Sequence, residues 1–176
     1  MKLYVQKKLE ALGKSKTVVK AFELAFVFFL FLSNAVYGQS NQSEVAIFQD
    51  AFGLEKKVAV ANFMNFGESA VGFWKIYDEY EVERKKLGKE RIQVIIDYAT
   101  SYPDISDEKL LSLFKRTQDL KKSSDKLQTT YFKKMKKEVG ISKAAQFWQI
   151  ESYFNAIIQA NVYTEIPFIG ENLSAK

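Results

Sequence analysis

The chain has 176 residues, 26 basic against 21 acidic side chains, and neither cysteine nor histidine. The missing cysteine excludes disulfides, thiolate metal sites and a lipidated N-terminal cysteine, and the missing histidine removes the commonest metal ligand and the usual proton carrier near neutral pH. Both absences count against an enzyme, and no cofactor is expected.

Residues 1–38 read as a cleavable export signal. Lysines stand at 2, 7, 8, 14, 16 and 20, an apolar run follows from Leu24 to Leu32, and Ala35-Val36-Tyr37-Gly38 closes the segment. The run is shorter than the about 20 residues that span a bilayer, and Val36 and Gly38 stand where signal peptidase reads the chain. The expected mature protein therefore begins at Gln39 and works in the periplasm. The signal holds six lysines against Glu10 and Glu23, so the remainder is left near +1. Most of the basicity belongs to targeting, and nucleic-acid binding loses its support. Residues 39–176 have the length of a single domain.

Proline occurs only at Pro103 and Pro167, which leaves two long stretches free of the strongest helix breaker. A less regular helix is predicted over Glu44 to Met64, with Val45, Phe48, Phe52, Val58, Phe63 and Met64 as its apolar set. From Glu68 to Tyr102, Ala70, Phe73, Tyr77, Tyr80, Leu87, Ile95, Tyr98 and Tyr102 recur mostly at three or four, the period of a helix. Pro103-Asp104 closes it. Ser106 then reads as an N-cap with Asp107 and Glu108 in the first turn. The stripe Leu110, Phe114, Thr117, Leu120, Ser124, Leu127, Tyr131 and Met135 carries a second long helix to Val139. Gly140 ends it, Ser142 caps the next, and Ala145, Trp148, Phe154, Ile157 and Ile158 give that helix an apolar surface as far as Tyr163. Ile166, Pro167, Phe168 and Ile169 are expected to dock as an extended cover. The two central helices, each about 50 Å at 1.5 Å per residue, are joined by a three-residue turn. The predicted fold is all-α: a long antiparallel helical hairpin with flanking shorter helices.

Three helix starts place an apolar residue before a small or hydroxyl cap: Phe66-Gly67-Glu68-Ser69-Ala70, Ile105-Ser106-Asp107-Glu108-Lys109 and Ile141-Ser142-Lys143-Ala144-Ala145. An aromatic pair follows twice, Phe73-Trp74 and Phe147-Trp148. With these features the sequence resembles the Spy/CpxP-like family of periplasmic helical proteins, whose members carry Leu-Thr-x-x-Gln repeats at such helix starts. Ile105 to Lys109 is the nearest match, with Ile and Ser for Leu and Thr and Lys109 in place of glutamine. At the other two starts Ala70 and Ala145 occupy the glutamine position, so the formal motif is absent. The likeness extends through Phe73-Trp74-Lys75-Ile76-Tyr77-Asp78-Glu79-Tyr80 and Lys143-Ala144-Ala145-Gln146-Phe147-Trp148-Gln149-Ile150-Glu151, and covers roughly Val58 to Phe168. The resemblance implies a thin all-helical protein, often a homodimer, that binds unfolded clients without ATP or reports envelope stress to a membrane sensor.

The residues themselves give a plainer account of the aromatics: Phe73, Trp74, Tyr77 and Tyr80 at helical spacing read as core and hairpin seam. Adjacent Phe73 and Trp74 point about 100° apart, which leaves one of them for a client-binding patch. Asp107 to Glu138 holds ten basic residues against five acids, while Asp78, Glu79, Glu81 and Glu83 crowd the other helix. The basic face reads first as a solvated surface, with a rim for acidic clients, a sensor domain or anionic head groups as the functional alternative. The acidic cluster is neutralised by Lys85 four residues after Glu81 and Lys86 three after Glu83, and lacks a calcium loop, so no metal is expected. Ser112 to Lys115 and Ser123 to Lys126 spell Ser-x-x-Lys without the companion motifs of penicillin-binding enzymes. The candidate protein-binding residues are Phe73, Trp74, Tyr77, Lys121, Lys122, Lys133, Lys134, Phe147 and Trp148. Two functions remain: an ATP-independent chaperone or stress-response protein, and a periplasmic accessory of a sigma-factor or two-component pathway with one dedicated partner. Peripheral membrane contact is compatible with either. A scattered apolar surface favours the first and a single compact patch the second.

Overall fold

The structure is a computed structural model that describes residues 40–66 and 70–171; the export segment, its cleavage site and the expected cap at Gly67-Glu68-Ser69 lie outside the described residues. Among the described residues the fold is all-α, with three helices: α1 over Ser40–Met64, α2 over Val71–Ser101 and α3 over Asp107–Glu165. Where the sequence suggests one domain over 39–176, the described residues fall into two compact units that divide after Ala70. In the first, Lys56, Val60 and Met64 are buried at intervals of four along α1, while Val58, expected in the apolar set, is exposed.

In the second unit α2 and the start of α3 form the expected antiparallel hairpin. Asp97 meets Arg116, and Glu79 meets Lys134 at 3.0 Å, so that 18 residues back along α2 correspond to 18 residues forward along α3. The turn between them, Tyr102 to Ser106, is longer than the three residues expected, because α2 stops at Ser101, just before the Tyr102-Pro103 pair. Ser106 caps α3 as its side chain and spacing suggest, its Oγ accepting from the Lys109 N–H at 3.3 Å. Asp107 and Glu108 follow in the first turn, where carboxylates complement the helix dipole.

The largest departure from a simple hairpin comes at Gly140, whose φ of 80° and ψ of 165° interrupt the helical conformation of α3. A residue with a Cβ is strained there. The interruption is a reversal. Phe132 and Trp148, 16 residues apart, would be about 24 Å apart on one straight helix, yet their ring centroids lie 6.3 Å apart. Tyr80 touches both Tyr131 and Phe147, at 5.4 and 5.6 Å. The segment after Gly140 therefore returns alongside the first half of α3 and runs parallel to α2: Phe73 meets Phe147, and further along, the Tyr98 hydroxyl donates to the Pro167 carbonyl at 2.7 Å. The second unit is a three-helix bundle rather than a hairpin with a flanking piece.

The buried register differs from expectation by one residue in two places. Leu113 is inside and Phe114 outside, and Ala144, Phe147 and Ile150 are inside where Ala145 and Trp148 were expected. The tail docks through its backbone, with carbonyls of Pro167, Phe168 and Glu171 accepting from Tyr98 and Tyr102 hydroxyls. Its Phe168 and Ile169 side chains remain exposed, contrary to the predicted cover. Ile141, expected to staple the next helix start, is exposed as well.

Candidate functional site

Five rings form the centre of the bundle. Phe147 makes edge-to-face contacts with Phe73, Tyr77 and Tyr80 at centroid separations of 5.7, 5.9 and 5.6 Å, and Tyr131 closes the group against Tyr80. Edge-to-face packing places the positive rim of one ring on the negative face of the next. Phe73, Tyr77 and Phe147 are all but inaccessible. Three of the nine residues proposed from sequence as a binding surface are thus core, in keeping with the plainer reading of that stripe. Trp74 is half-buried against Phe73 and Tyr77, and Trp148, 38% exposed, lies over Phe132 on the outer side.

The four lysines all lie on the first half of α3, but they differ. Lys134 ties the helices together, its ammonium 3.0 Å from Glu79 Oε2 and 4.4 Å from the centre of the Tyr131 ring. The hydrogen bond to Glu79 holds its pKa above the ordinary lysine value. Lys121 and Lys122 make loose exposed pairs with Asp125 and Asp119 along their own helix, of the kind that contributes little stability. Lys133 is exposed and makes no ion pair among the described residues. Lysines 121, 122 and 133 are therefore available to a partner in a way that Lys134 is not.

A buried polar cluster adjoins the rings. Arg84 holds Glu81 in a two-pronged pair, Nε at 2.9 and 3.0 Å and Nη2 at 2.9 Å, and the Tyr80 hydroxyl donates to Glu151 Oε2 at 2.8 Å. Glu81 and Glu151 are both buried. Burial opposes the charge of Arg84, but Glu81, with help from Glu151 and Tyr80, outweighs it and keeps the guanidinium pKa above its ordinary value. The sequence places Glu81 in a solvated acidic patch; it is instead buried and paired with Arg84. The available signal was positional. Glu81 lies four after Tyr77, and Glu151 lies between Phe147 and Phe154 at i+4 and i+7, so both carboxylates occupy places on the apolar stripe. The Glu83–Lys86 pair forms as expected, at 2.8 Å. Beside Glu151 a recess of about 10 Å³, lined by Tyr80, Gln128, Tyr131, Phe132, Phe147 and Trp148, has room for a water-sized group. That is far below the several hundred Å³ of a small-molecule cleft. No cluster of three metal-ligating side chains occurs among the described residues, and no helix among them is long and apolar enough to cross a membrane.

The cluster gives the bundle an alkaline limit. Burial first, then the carboxylates of Glu81 and Glu151, push the Tyr77 and Tyr80 phenols far above their ordinary value of 10.0. In the unfolded chain both ionise near 10. Above that pH the unfolded chain therefore holds fewer protons than the folded one, and stability falls by up to ~1.4 kcal/mol per pH unit for each phenol. Stability to urea should lose roughly 4–5 kcal/mol between pH 10 and 12. Tyrosinate absorbance from the last two of the nine tyrosines should appear only as helicity is lost. A single smooth titration of all nine with helicity intact would contradict the burial of these rings.

No family model, curated protein or solved structure matches the chain. The likeness to Spy/CpxP proteins consequently rests on the residues quoted for it.

Proposed function

We propose that the protein is an exported helical binder that holds unfolded or partly folded envelope proteins without ATP, in the manner of a Spy/CpxP-type chaperone. One observation carries this reading. Large apolar side chains stand in solvent along the whole second unit, from Val71 and Val82 on α2 through Leu111, Phe114, Ile141 and Trp148 on α3 to Tyr163, Phe168 and Ile169. Surface of this kind, spread out and interleaved with exposed lysines, suits contact with many unrelated apolar segments. The rigid core of Phe73, Tyr77, Tyr80 and Phe147 serves to hold that surface open.

A second reading has an observation of its own. Leu111, Phe114, Phe168 and Ile169 are all exposed toward the end of the bundle where the Tyr98 and Tyr102 hydroxyls hold the tail. A compact apolar end suits a single dedicated partner, such as a sensor domain. The two readings separate in an aggregation assay. With lysines recruiting acidic clients, the protein at modest molar excess should suppress aggregation of a denatured acidic test protein in the absence of ATP, and salt should weaken the capture by screening. Reversing Lys121, Lys122 and Lys133 to glutamate should slow capture with helicity unchanged, since charge steering acts mainly on association rate. Absence of protection at every ratio would leave the dedicated-partner reading in first place.

A further inference from the structure

The first half of α3 carries a line of lysines that the bundle does not use and that the client-binding proposal draws on only at Lys122 and Lys133. Lys115, Lys122, Lys126, Lys133 and Lys137 are all exposed, at spacings that alternate seven and four. Each pair of steps sums to eleven residues, close to three full turns, so the line drifts by only about 20° per repeat and runs straight along the helix. It lies opposite the face that buries Leu113, Tyr131 and Met135. From first to last it extends about 33 Å at 1.5 Å per residue. Leu111, 69% exposed, continues the same spacing four residues before Lys115.

The charges of this line are largely uncompensated. Glu108 and Asp119 are the acids on that face. Glu108 is held at the capped helix start by its backbone N–H and Ser106, and Asp119 reaches Lys122 only at 3.9 Å. Lys115, Lys126, Lys133 and Lys137 make no ion pair among the described residues. The one arginine in this half of the helix, Arg116, is turned instead toward Asp97 within the bundle.

We infer that this face docks on an anionic phospholipid surface, with the first half of α3 lying flat along it and Leu111 entering the head-group region at one end. Three features favour a bilayer over an acidic protein. The charges are collinear, which matches a plane. They are hydrated point charges on flexible stems with no guanidinium fork for a defined carboxylate pattern. An apolar side chain ends the line, as in helices that rest in the interface. Each basic residue near an anionic leaflet adds a similar favourable increment, so five in a line suffice for salt-sensitive, reversible attachment. Docked this way, the protein keeps Trp148 and the far flank of the bundle free.

The test is co-flotation of the full chain with phosphatidylcholine vesicles, with and without phosphatidylglycerol, read as the ratio of anionic to neutral binding. The N-terminal segment, with lysines at 2, 7, 8, 14, 16 and 20 around its apolar run, also favours anionic lipid but is common to every variant, so the change in the ratio between wild type and the variants below carries the test. The wild-type ratio is expected to be large at low salt and to fall toward one as salt is added. A variant with Lys115, Lys122, Lys126, Lys133 and Lys137 changed to glutamate should lose anionic binding by roughly 100-fold or more; the corresponding glutamine variant should lose less, and both should keep wild-type helicity because the positions are solvated. An unchanged ratio in the glutamate variant would overturn the proposal, as would a wild-type ratio near one. Salt-sensitive binding to a denatured acidic protein but not to anionic vesicles would also overturn it, and would return this face to protein recognition. Because the aggregation assay contains no lipid, failure there and failure here are distinguishable.

Discussion

Replacing Phe147 with alanine is expected to destabilise the protein by ~3–5 kcal/mol, the usual cost of removing a buried large aromatic. Its ring is the shared neighbour of Phe73, Tyr77 and Tyr80. It is the ring through which the segment after Gly140 meets the aromatic stripe of α2, so the substitution leaves a cavity lined by three rings that cannot all collapse inward. Trp148, next in sequence, gives the internal control. It is 38% exposed and touches one ring, and its alanine variant should cost at most about 1.5 kcal/mol. Chemical denaturation of the two variants decides the matter. Equal losses, or a larger one for Trp148, would place the wrong aromatic in the core.

Changing Glu81 to alanine should cost a similar ~3–5 kcal/mol, for an electrostatic reason. The side chains of Glu81 and Arg84 are only 10% and 16% exposed, so removal of the carboxylate leaves a guanidinium charge with little water and without its bidentate partner. The pair need not itself be a large net gain, because desolvation of both groups offsets much of their attraction. Replacing both together, Glu81→Leu with Arg84→Met, should recover part of the loss but not all of it, because Arg84 also acts on the buried Glu151 carboxylate. A single-variant loss below about 1 kcal/mol would mean that Arg84 reaches solvent, and would remove the cluster from the core.

Much of this architecture is legible in the chain. Helical spacing, the pair Tyr102-Pro103, the Ser106 cap and the helix break at Gly140 are local signals, and each acts through backbone sterics or a single hydrogen bond. Burial register is less legible. Leu113 and Phe114, like Phe147 and Trp148, are adjacent apolar residues that point about 100° apart, and hydrophobic spacing is satisfied about equally by either member. The choice is made by packing: the space among Phe73, Tyr77 and Tyr80 takes a phenylalanine, and the indole goes to the flank.

The buried carboxylates were hidden for another reason. Glu81 and Glu151 are charged, and a charge is read as solvent-facing until its partner is known. The partner of Glu81 is one turn away, but that of Glu151, the Tyr80 hydroxyl, is 71 residues distant in sequence. The tail misled in the opposite sense, because the apolar run Ile166 to Ile169 suggests side-chain docking throughout, whereas only Ile166 and Pro167 are half-buried and the hydrogen bonds are made by carbonyls. Of the proposed binding surface, Lys121, Lys122, Lys133 and Trp148 stay available, whereas Lys134, Phe73, Tyr77 and Phe147 could not be sorted from them without knowing which helices pack together.

The most direct measurement for the proposed function is the affinity of the chain for one polypeptide presented in two forms, native and permanently unfolded, without nucleotide. Saturable binding to the unfolded form is expected, weakened in high salt and when Lys121, Lys122 and Lys133 are reversed, with none to the native form. Equal binding to both forms, or binding to neither, would contradict the chaperone reading.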